Sequence, residues 1–129
     1  MNIASYFAKD LFYGKTFFIT GGSSGINLGI ARNFAAVGAN LGILGRSEEK
    51  LAAAATELRA LGARVSTHSA DVRHYAALEK AIHDTKTALG PVHTLICGAA
   101  GNFPLSAEQL SPNGFKAVVD IDLLGSFHS

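Results

Sequence analysis

The stretch ITGGSSGINLGIARNF, residues 19–34, decides the fold of this chain. It starts inside the apolar run KTFFIT, residues 15–20, which predicts a buried strand. After a glycine-rich turn, apolar spacing predicts a helix from Ile26 to about Val37, ending at Gly38. Glycines in such a turn let the backbone approach a phosphate, whose charge meets the free N–H groups of the helix start. The turn therefore predicts a pyrophosphate site, and the alternative is a tight turn without a ligand.

The rest of the chain alternates predicted strands and helices. The further strands are predicted at residues 40–45, 64–69 and 93–98. The further helices are predicted from a Ser47 cap to Gly62, from after Asp71 to about Leu89, and from Ser111-Pro112 towards the chain end. This alternation implies right-handed crossovers and a parallel sheet covered on both faces. The fold class is therefore α/β, a Rossmann-like doubly wound parallel sheet truncated after about four strands.

Length and composition limit the possible functions. The 129 residues make one domain, and a lead-in at residues 1–14 is expected to pack Phe7, Leu11, Phe12 and Tyr13 against the sheet edge. A net charge of +1 without a basic run gives no reason to expect nucleic acid or a membrane surface as a partner. One cysteine fits a reducing cytoplasm, and the start lacks the order of a signal peptide. We expect a cytoplasmic protein with no metal site.

The end of the second strand predicts which dinucleotide binds. NAD enzymes of this fold place an acid there to hold the ribose hydroxyls, but here the residues are Arg46 and Ser47. Arg46 fits the 2′-phosphate of NADP, with Ser47 as a second donor. A contact of about 2 kcal/mol gives roughly a 30-fold preference. The alternative is a solvated arginine at a helix start, and the prediction is NADP.

The turn TGGSSGI resembles the short-chain dehydrogenase/reductase family, whose glycine motif is Thr-Gly-x-x-x-Gly-x-Gly. Thr20, Gly21 and Gly25 match this motif, and Asn27 replaces its last glycine. That asparagine either obstructs the ligand or donates its amide to a phosphate oxygen, so we expect weakened rather than abolished binding. The cofactor-binding residues predicted in the turn are Gly21, Ser23, Ser24, Gly25 and Ile26.

The resemblance also implies cofactor contacts at the ends of the third and fourth strands. Asp71 would accept from the adenine amino group and Val72 would pack on the ring, although Asp71 is equally an ordinary helix N-cap. The family ends its fourth strand with Asn-Asn-Ala-Gly, where this chain has CGAAG at residues 97–101. Ala99, Ala100 and Gly101 would pass beside the nicotinamide ribose, and both asparagines are gone. Cys97 is expected to be a small buried packing residue rather than a nucleophile.

The motifs AAGNF, LSPNGF and DIDLLG are similar to those of the 2,4-dienoyl-CoA reductase branch of that family. In that branch the asparagine matched by Asn102 hydrogen-bonds the thioester carbonyl, which suits a developing enolate. Arg73, Phe103 and Ser111 match positions that contact the acyl-CoA. The alternatives are a turn asparagine at 102 and a solvated charge at 73. Asp122 stands where most of the wider family has an asparagine that braces the active site.

The last predicted helix is apolar on nearly every face, which predicts that it is buried. The family uses this helix in a dimer interface, so the resemblance implies a homo-oligomer.

The resemblance places the family's catalytic Tyr-x-x-x-Lys pair beyond residue 129. Within the sequence, Tyr6, Tyr13 and Tyr75 have no lysine four positions later. We therefore expect residues 1–129 to be the dinucleotide-binding, N-terminal part of an NADP-dependent oxidoreductase, acting on a 2,4-dienoyl-CoA or a related acyl-CoA. One alternative is a non-catalytic nucleotide-binding or interaction module. Another is a different doubly wound enzyme such as a methyltransferase, which normally has an acid near the end of the second strand.

Overall fold

Four parallel strands form one sheet in the computed structural model, which describes residues 3–129. The strands are β1 (Thr16–Thr20), β2 (Asn40–Gly45), β3 (Val65–Ser69) and β4 (Val92–Cys97). The helices are α1 (Gly25–Ala36), α2 (Glu48–Ala60), α3 (Tyr75–Leu89), α4 (Pro112–Val118) and α5 (Gly125–His128), with a π-helical segment (Val119–Leu124) between the last two and short 3-10 helices at Ile3–Tyr6 and Ala107–Gln109. The strand order β3-β2-β1-β4 confirms the doubly wound parallel α/β fold.

The sheet is covered on both faces because successive side chains of a strand point to opposite sides. Phe17 and Ile19 of β1 pack in a core with residues of α1 and α2, whereas Phe18 packs with residues of α3 on the other face. The π-helical segment adds Ile121 to that second face. All five residues of β1 are buried, as expected for a central strand of a parallel sheet.

The predicted element boundaries agree with the structure to within one residue for every strand. Two predicted helix caps are confirmed: the Ser47 hydroxyl accepts from the Lys50 N–H at 3.3 Å, and the Ser111 hydroxyl accepts from the Gly114 N–H at 3.0 Å. These caps satisfy donors that the first turn of a helix leaves without a partner. None of the helices within residues 3–129 is long and apolar enough to cross a bilayer.

The expectation for the lead-in was mostly wrong. Phe7, Leu11 and Tyr13 are exposed, and Tyr13 has 82% of its surface accessible. Only Phe12 among the four packs on the domain, with its ring centroid 5.0 Å from that of Phe17 on the α1 side of the sheet. Apolar residues without a regular period give no direction of burial, so the sequence could not separate Phe12 from its neighbours.

The expectation that Cys97 is buried was also wrong, and the burial of α1 is set by residues after Ile26. The exposed fraction of Ile26 is 84%, and the buried stripe of α1 consists of Leu28, Ala31 and Ala35. Cys97 is exposed because β4 is the last strand in the sheet order, and its residues alternate between half-buried and exposed. An edge strand exposes side chains that a central strand would bury.

The final helical run is not buried all round as predicted. It contacts the sheet layer on one side, where Gly125 lies so close that a Cβ would be 2.6 Å from Cγ2 of Val72. Its other faces expose Phe115, Leu123 and Phe127, the last with 82% of its surface accessible. The run therefore carries an apolar surface that nothing within residues 3–129 covers.

Candidate functional site

A cavity of about 360 Å³ lies at the carboxyl ends of the strands. The strand order reverses direction between β1 and β4, and crevices at such switch points are where open α/β sheets bind ligands. The lining comes from the glycine turn and α1 (Gly21, Ser23, Ser24, Asn27), from the end of β2 and the start of α2 (Leu44, Gly45, Arg46, Ser47, Lys50), from the segment after β3 (Ala70, Asp71, Val72), and from the segment after β4 with the π-helical segment (Gly98, Ala99, Ala100, Ile121).

The glycine turn is held close to the end of β4. Gly21 has φ +69°, and a Cβ there would lie 3.0 Å from both the Ala99 Cα and the Gly98 carbonyl oxygen, so only glycine fits this approach. The buried hydroxyl of Thr20 accepts hydrogen bonds from the N–H groups of Gly98 and Ala99, both at 3.1 Å. The motif threonine therefore joins the two loops on either side of the switch point.

The start of α1 presents donors to the cavity. Ser24 is the N-cap in an extended conformation, and its hydroxyl makes no capping hydrogen bond. The first N–H groups of a helix have no intrahelical acceptor, so this end of α1 favours an anion. The hydroxyl of Ser23 lies over the backbone of Gly45, where a Cβ would be 2.9 Å from it. The turn thus offers hydroxyl and backbone donors beside the second strand.

Two cationic side chains line the cavity at the end of β2. Arg46 follows the strand directly, and Lys50 stands in the first turn of α2. The backbone N–H of Lys50 donates to the Ser47 hydroxyl. Within residues 3–129, neither cation has a carboxylate partner within 4.0 Å. A pair of free cations next to a hydroxyl is a donor set that suits a phosphate group.

The acidic residue among the lining side chains, Asp71, is already paired. Its carboxylate accepts from the guanidinium of Arg73, with Nε–Oδ1 at 3.0 Å and Nη2–Oδ2 at 2.6 Å, and also from the Arg73 backbone N–H at 3.0 Å. These hydrogen bonds lower the pKa of Asp71 to about 2, and the charge of Arg46 acts in the same direction. The cavity therefore keeps the positive character given by Arg46 and Lys50.

Asp71 is not the helix N-cap that the sequence allowed as an alternative. His74 takes that position without a side-chain cap bond, and α3 begins at Tyr75. The reason is local, because the Asp71 carboxylate bonds Arg73 two residues later instead of the helix start. The next residue, Val72, is buried in the second core, and its carbonyl oxygen lies 2.9 Å from Nδ1 of His128.

The loop after β4 is fixed by two side chains from elsewhere in the chain. Asp122 accepts from the Gly101 N–H at 2.8 Å and so holds the backbone of this loop. The amide Nδ2 of Asn27 donates to the carbonyl oxygen of Gly98 at 2.7 Å. The first turn of α1 and the end of β4 are thereby in direct contact.

The structure brings most of the predicted cofactor-binding residues to one cavity, and the others lie outside its lining. Those that line it are Gly21, Ser23, Ser24, Arg46, Ser47, Asp71, Val72, Ala99 and Ala100. Those outside the lining are Gly25, Ile26 and Gly101 of the cofactor set, with Asn102, Arg73, Phe103 and Ser111 of the catalytic and substrate set. Arg73 is bound to Asp71 and the Ser111 hydroxyl caps α4, while Asn102 and Phe103 are exposed just beyond Ala100.

Sequence reasoning did not include Lys50, Gly98 or Ile121 in the site. Lys50 had a local signal, because it stands in the first turn of the helix that directly follows the predicted phosphate donors Arg46 and Ser47. Gly98 and Ile121 had none, since their positions depend on contacts with Asn27 and with the second core.

Comparison with known proteins gives consistent matches. The family model described as short chain dehydrogenase matches residues 15–129. A peroxisomal 2,4-dienoyl-CoA reductase of Arabidopsis thaliana is 40% identical over 124 residues, covering 96% of this chain and 42% of the relative. A 3-dehydrosphinganine reductase of the same plant is 44% identical over 112 residues, covering 86% of this chain and 33% of the relative. The crystal structure of a short chain dehydrogenase from Bacillus anthracis has a TM-score of 0.84 at 41% identity, covering 89% of this chain and 48% of that chain.

Proposed function

This chain belongs to the short-chain dehydrogenase family, and from that premise we propose that it is the NADP-binding part of an oxidoreductase. The observation that carries the proposal is the pair Arg46 and Lys50 at the end of β2, where an NAD site would have a carboxylate. The chain spans about 42% of the length of the 2,4-dienoyl-CoA reductase that it matches, so the activity of the whole protein is part of the proposal.

The residues present fit a phosphorylated dinucleotide by the chemistry of their donors. The pyrophosphate would meet the first N–H groups of α1 and the hydroxyls of Ser23 and Ser24. The 2′-phosphate would meet Arg46, Ser47 and Lys50, which have no competing carboxylate partner within residues 3–129. NADPH, when bound, supplies a hydride for transfer to the substrate.

Each end of the cavity then has a separate task. Asp71 and Val72 would contact the adenine, with the Asp71 carboxylate kept ionised by Arg73 and therefore able to accept a hydrogen bond. Ala99 and Ala100 would lie beside the nicotinamide ribose, because small residues after β4 leave room at the switch point. Thr20 and Asp122 hold that segment in place through its N–H groups.

We propose a 2,4-dienoyl-CoA or a related acyl-CoA as substrate. The support is the loop sequence from Ala99 to Phe103 and the name of a relative 40% identical to this chain. Asn102 would donate a hydrogen bond from its side-chain N–H to the thioester carbonyl oxygen and stabilise the negative charge that develops there. Phe103 and Ser111 would contact the acyl-CoA, and Arg73 would do so from its position beside Asp71. Because another relative is named as a 3-dehydrosphinganine reductase, 3-dehydrosphinganine is the comparison substrate for the assay.

The cofactor proposal is tested by titrating the folded protein with NADPH and with NADH. We expect NADPH to bind roughly 30-fold more tightly, and Arg46→Ala to remove most of that preference. The matched control is Arg32→Ala, because Arg32 is an exposed arginine paired with Glu57 outside the cavity lining. Equal affinities for the two cofactors in the unaltered protein would refute the assignment.

The catalytic proposal concerns the activity of the whole protein, so it is tested on the full-length protein by following NADPH oxidation with a dienoyl-CoA, in parallel with 3-dehydrosphinganine. Oxidation that requires the dienoyl-CoA and falls in Asn102→Ala supports the reductase. Saturable NADPH binding without oxidation by either substrate favours the alternative, a non-catalytic nucleotide-binding module.

We also propose a homo-oligomer and a cytoplasmic location. The apolar surface of the final helical run, with Phe115, Leu123 and Phe127 exposed, supports association with a second copy through these helices. The single cysteine fits a reducing compartment. Since a relative is named as peroxisomal, microscopy of a tagged protein has to distinguish the cytoplasm from the peroxisome.

A further inference from the structure

Asn27 and Gly98 are in contact although they stand far apart in the chain. Asn27 lies in the first turn of α1 and Gly98 directly follows β4, and the Asn27 Nδ2 donates to the Gly98 carbonyl oxygen at 2.7 Å. Both residues line the cavity. The contact therefore closes one wall of the proposed cofactor site.

The two positions are complementary in volume. A Cβ added at Gly98 would lie 2.4 Å from both Nδ2 and Oδ1 of Asn27, a separation that real Cβ atoms do not show. The asparagine side chain thus occupies the space that any side chain at position 98 would need. Compared with the family motifs, position 27 in α1 has gained a side chain and position 98 after β4 has lost one, so the two changes compensate each other in volume.

Hydrogen bonds from other residues have to fix the backbone of Gly98, because a glycine is free to adopt many conformations. Its N–H donates to Thr20 Oγ1 and to the Ile96 carbonyl oxygen, both at 3.1 Å, and its carbonyl oxygen accepts from Asn27 Nδ2 at 2.7 Å. With both backbone groups engaged, the orientation of Gly98 is fixed, and so is the path of Ala99 into the cavity. Removing the Asn27 amide would leave this carbonyl without its donor and release one of the two restraints.

We propose that Asn27 is a positioning residue that holds the end of β4 for the nicotinamide half of the cofactor. The inference rests on the proposed function, and it gives Asn27 a supporting role where the sequence suggested an obstructing one. The cavity places Arg46, Ser47 and Lys50 at one end and Asn27 with Gly98 and Ala99 at the other, with the glycine turn between them. Asn27 therefore acts on ligands that reach the β4 end, and not on ligands confined to the Arg46 end.

The first test compares two ligands in Asn27→Gly. NADPH reaches both ends, whereas adenosine 2′,5′-bisphosphate carries the adenine, the 2′-phosphate and one 5′-phosphate, so it ends at the glycine turn and lacks the nicotinamide half. We expect the Kd of NADPH to rise about tenfold, the loss of one well-placed hydrogen bond, and the Kd of the bisphosphate to change less than about twofold. A general loss of folding would weaken both ligands together, so the difference isolates the positioning role.

The second test exchanges the two residues. Gly98→Asn alone should weaken NADPH more than Asn27→Gly does, since its new side chain meets the Asn27 amide. The double variant Asn27→Gly/Gly98→Asn should recover NADPH affinity to within about threefold of the unaltered protein, as expected for two coupled positions. Circular dichroism of each variant reports whether it is folded.

The outcomes separate the two proposals. If the folded, unaltered protein binds neither ligand, the proposed function is refuted and this inference with it. If it binds both and Asn27→Gly weakens them equally, or leaves NADPH unchanged, only the positioning role is refuted. A double variant no better than Gly98→Asn alone, with both folded, also overturns the inference.

Discussion

Replacing Thr20 with valine tests how the two loops of the site are joined. Valine keeps the size and branching of threonine but replaces the hydroxyl with a methyl group. The Ala99 N–H then loses its acceptor, and the Gly98 N–H keeps only the Ile96 carbonyl oxygen at 3.1 Å. A hydrogen bond of this kind contributes about 1 kcal/mol, and a buried donor left without a partner costs about 1–3 kcal/mol. Because Gly98 and Ala99 are half-buried beside the cavity, water reaches them in part. The cost of the donor without a partner is therefore at the lower end of its range, about 1 kcal/mol, and the lost hydrogen bond adds about 1 kcal/mol. The expected loss is about 2 kcal/mol in the free energy of unfolding.

The assay is urea unfolding followed by far-ultraviolet circular dichroism, with Thr20→Ser as the matched control. Serine keeps the hydroxyl and loses one buried methyl group, at a cost of about 1 kcal/mol. Thr20→Val should therefore be less stable than Thr20→Ser by about 1 kcal/mol, although valine is the more apolar residue. If the valine variant is as stable as the serine variant, or more stable, the two hydrogen bonds do not hold the site as argued.

Three further predictions concern the core, the pH dependence and the association of the chain. Gly42→Ala should cost about 2 kcal/mol or more in unfolding experiments, because its Cβ would lie 2.6 Å from Cγ2 of Thr85, whereas Gly29→Ala in α1 meets no atom within 4 Å and should stabilise by roughly 0.5–1 kcal/mol. Burial lowers the pKa of His68, so on acidification the unfolded state takes up a proton before the folded state does, and stability should fall as the pH drops below about 6.5. Urea midpoints measured between about pH 8 and pH 5 should show this decline, and His68→Gln should make it smaller. Phe127→Glu should shift light-scattering mass towards the monomer, and an unaltered protein that is already monomeric would contradict the proposed interface.

The fold was predictable because its signals are local. The apolar run of β2 between Gly38 and Arg46 predicted residues 40–45, and the structure places that strand at Asn40–Gly45. Likewise, the serine at position 47 predicted its helix through a hydrogen bond that spans only three residues. Glycine-bounded runs and caps are therefore enough to give the order of strands and helices.

The parts that failed depend on contacts between distant residues. The exposure of Cys97 follows from the place of β4 at the end of the strand order, which no local pattern contains. Asn27 was identified as a departure, but its partner Gly98 is 71 positions away and has no side chain to signal the contact. The alternative capping role of Asp71 is not realised because its carboxylate bonds Arg73, and sequence alone leaves the choice between these two nearby partners open.

The cavity wall draws on the segment after every one of the four strands, from Gly21 through Arg46 and Asp71 to Gly98. Any molecule that fills it would consequently be bound only by the assembled sheet, and the unfolded chain could not hold it. Occupancy and folding are then linked quantities: at a free concentration one hundred times its Kd, such a molecule would add about 2.7 kcal/mol to the stability of the domain. Variants with a weakened sheet should thus regain their structure when the cell's supply of that molecule is high.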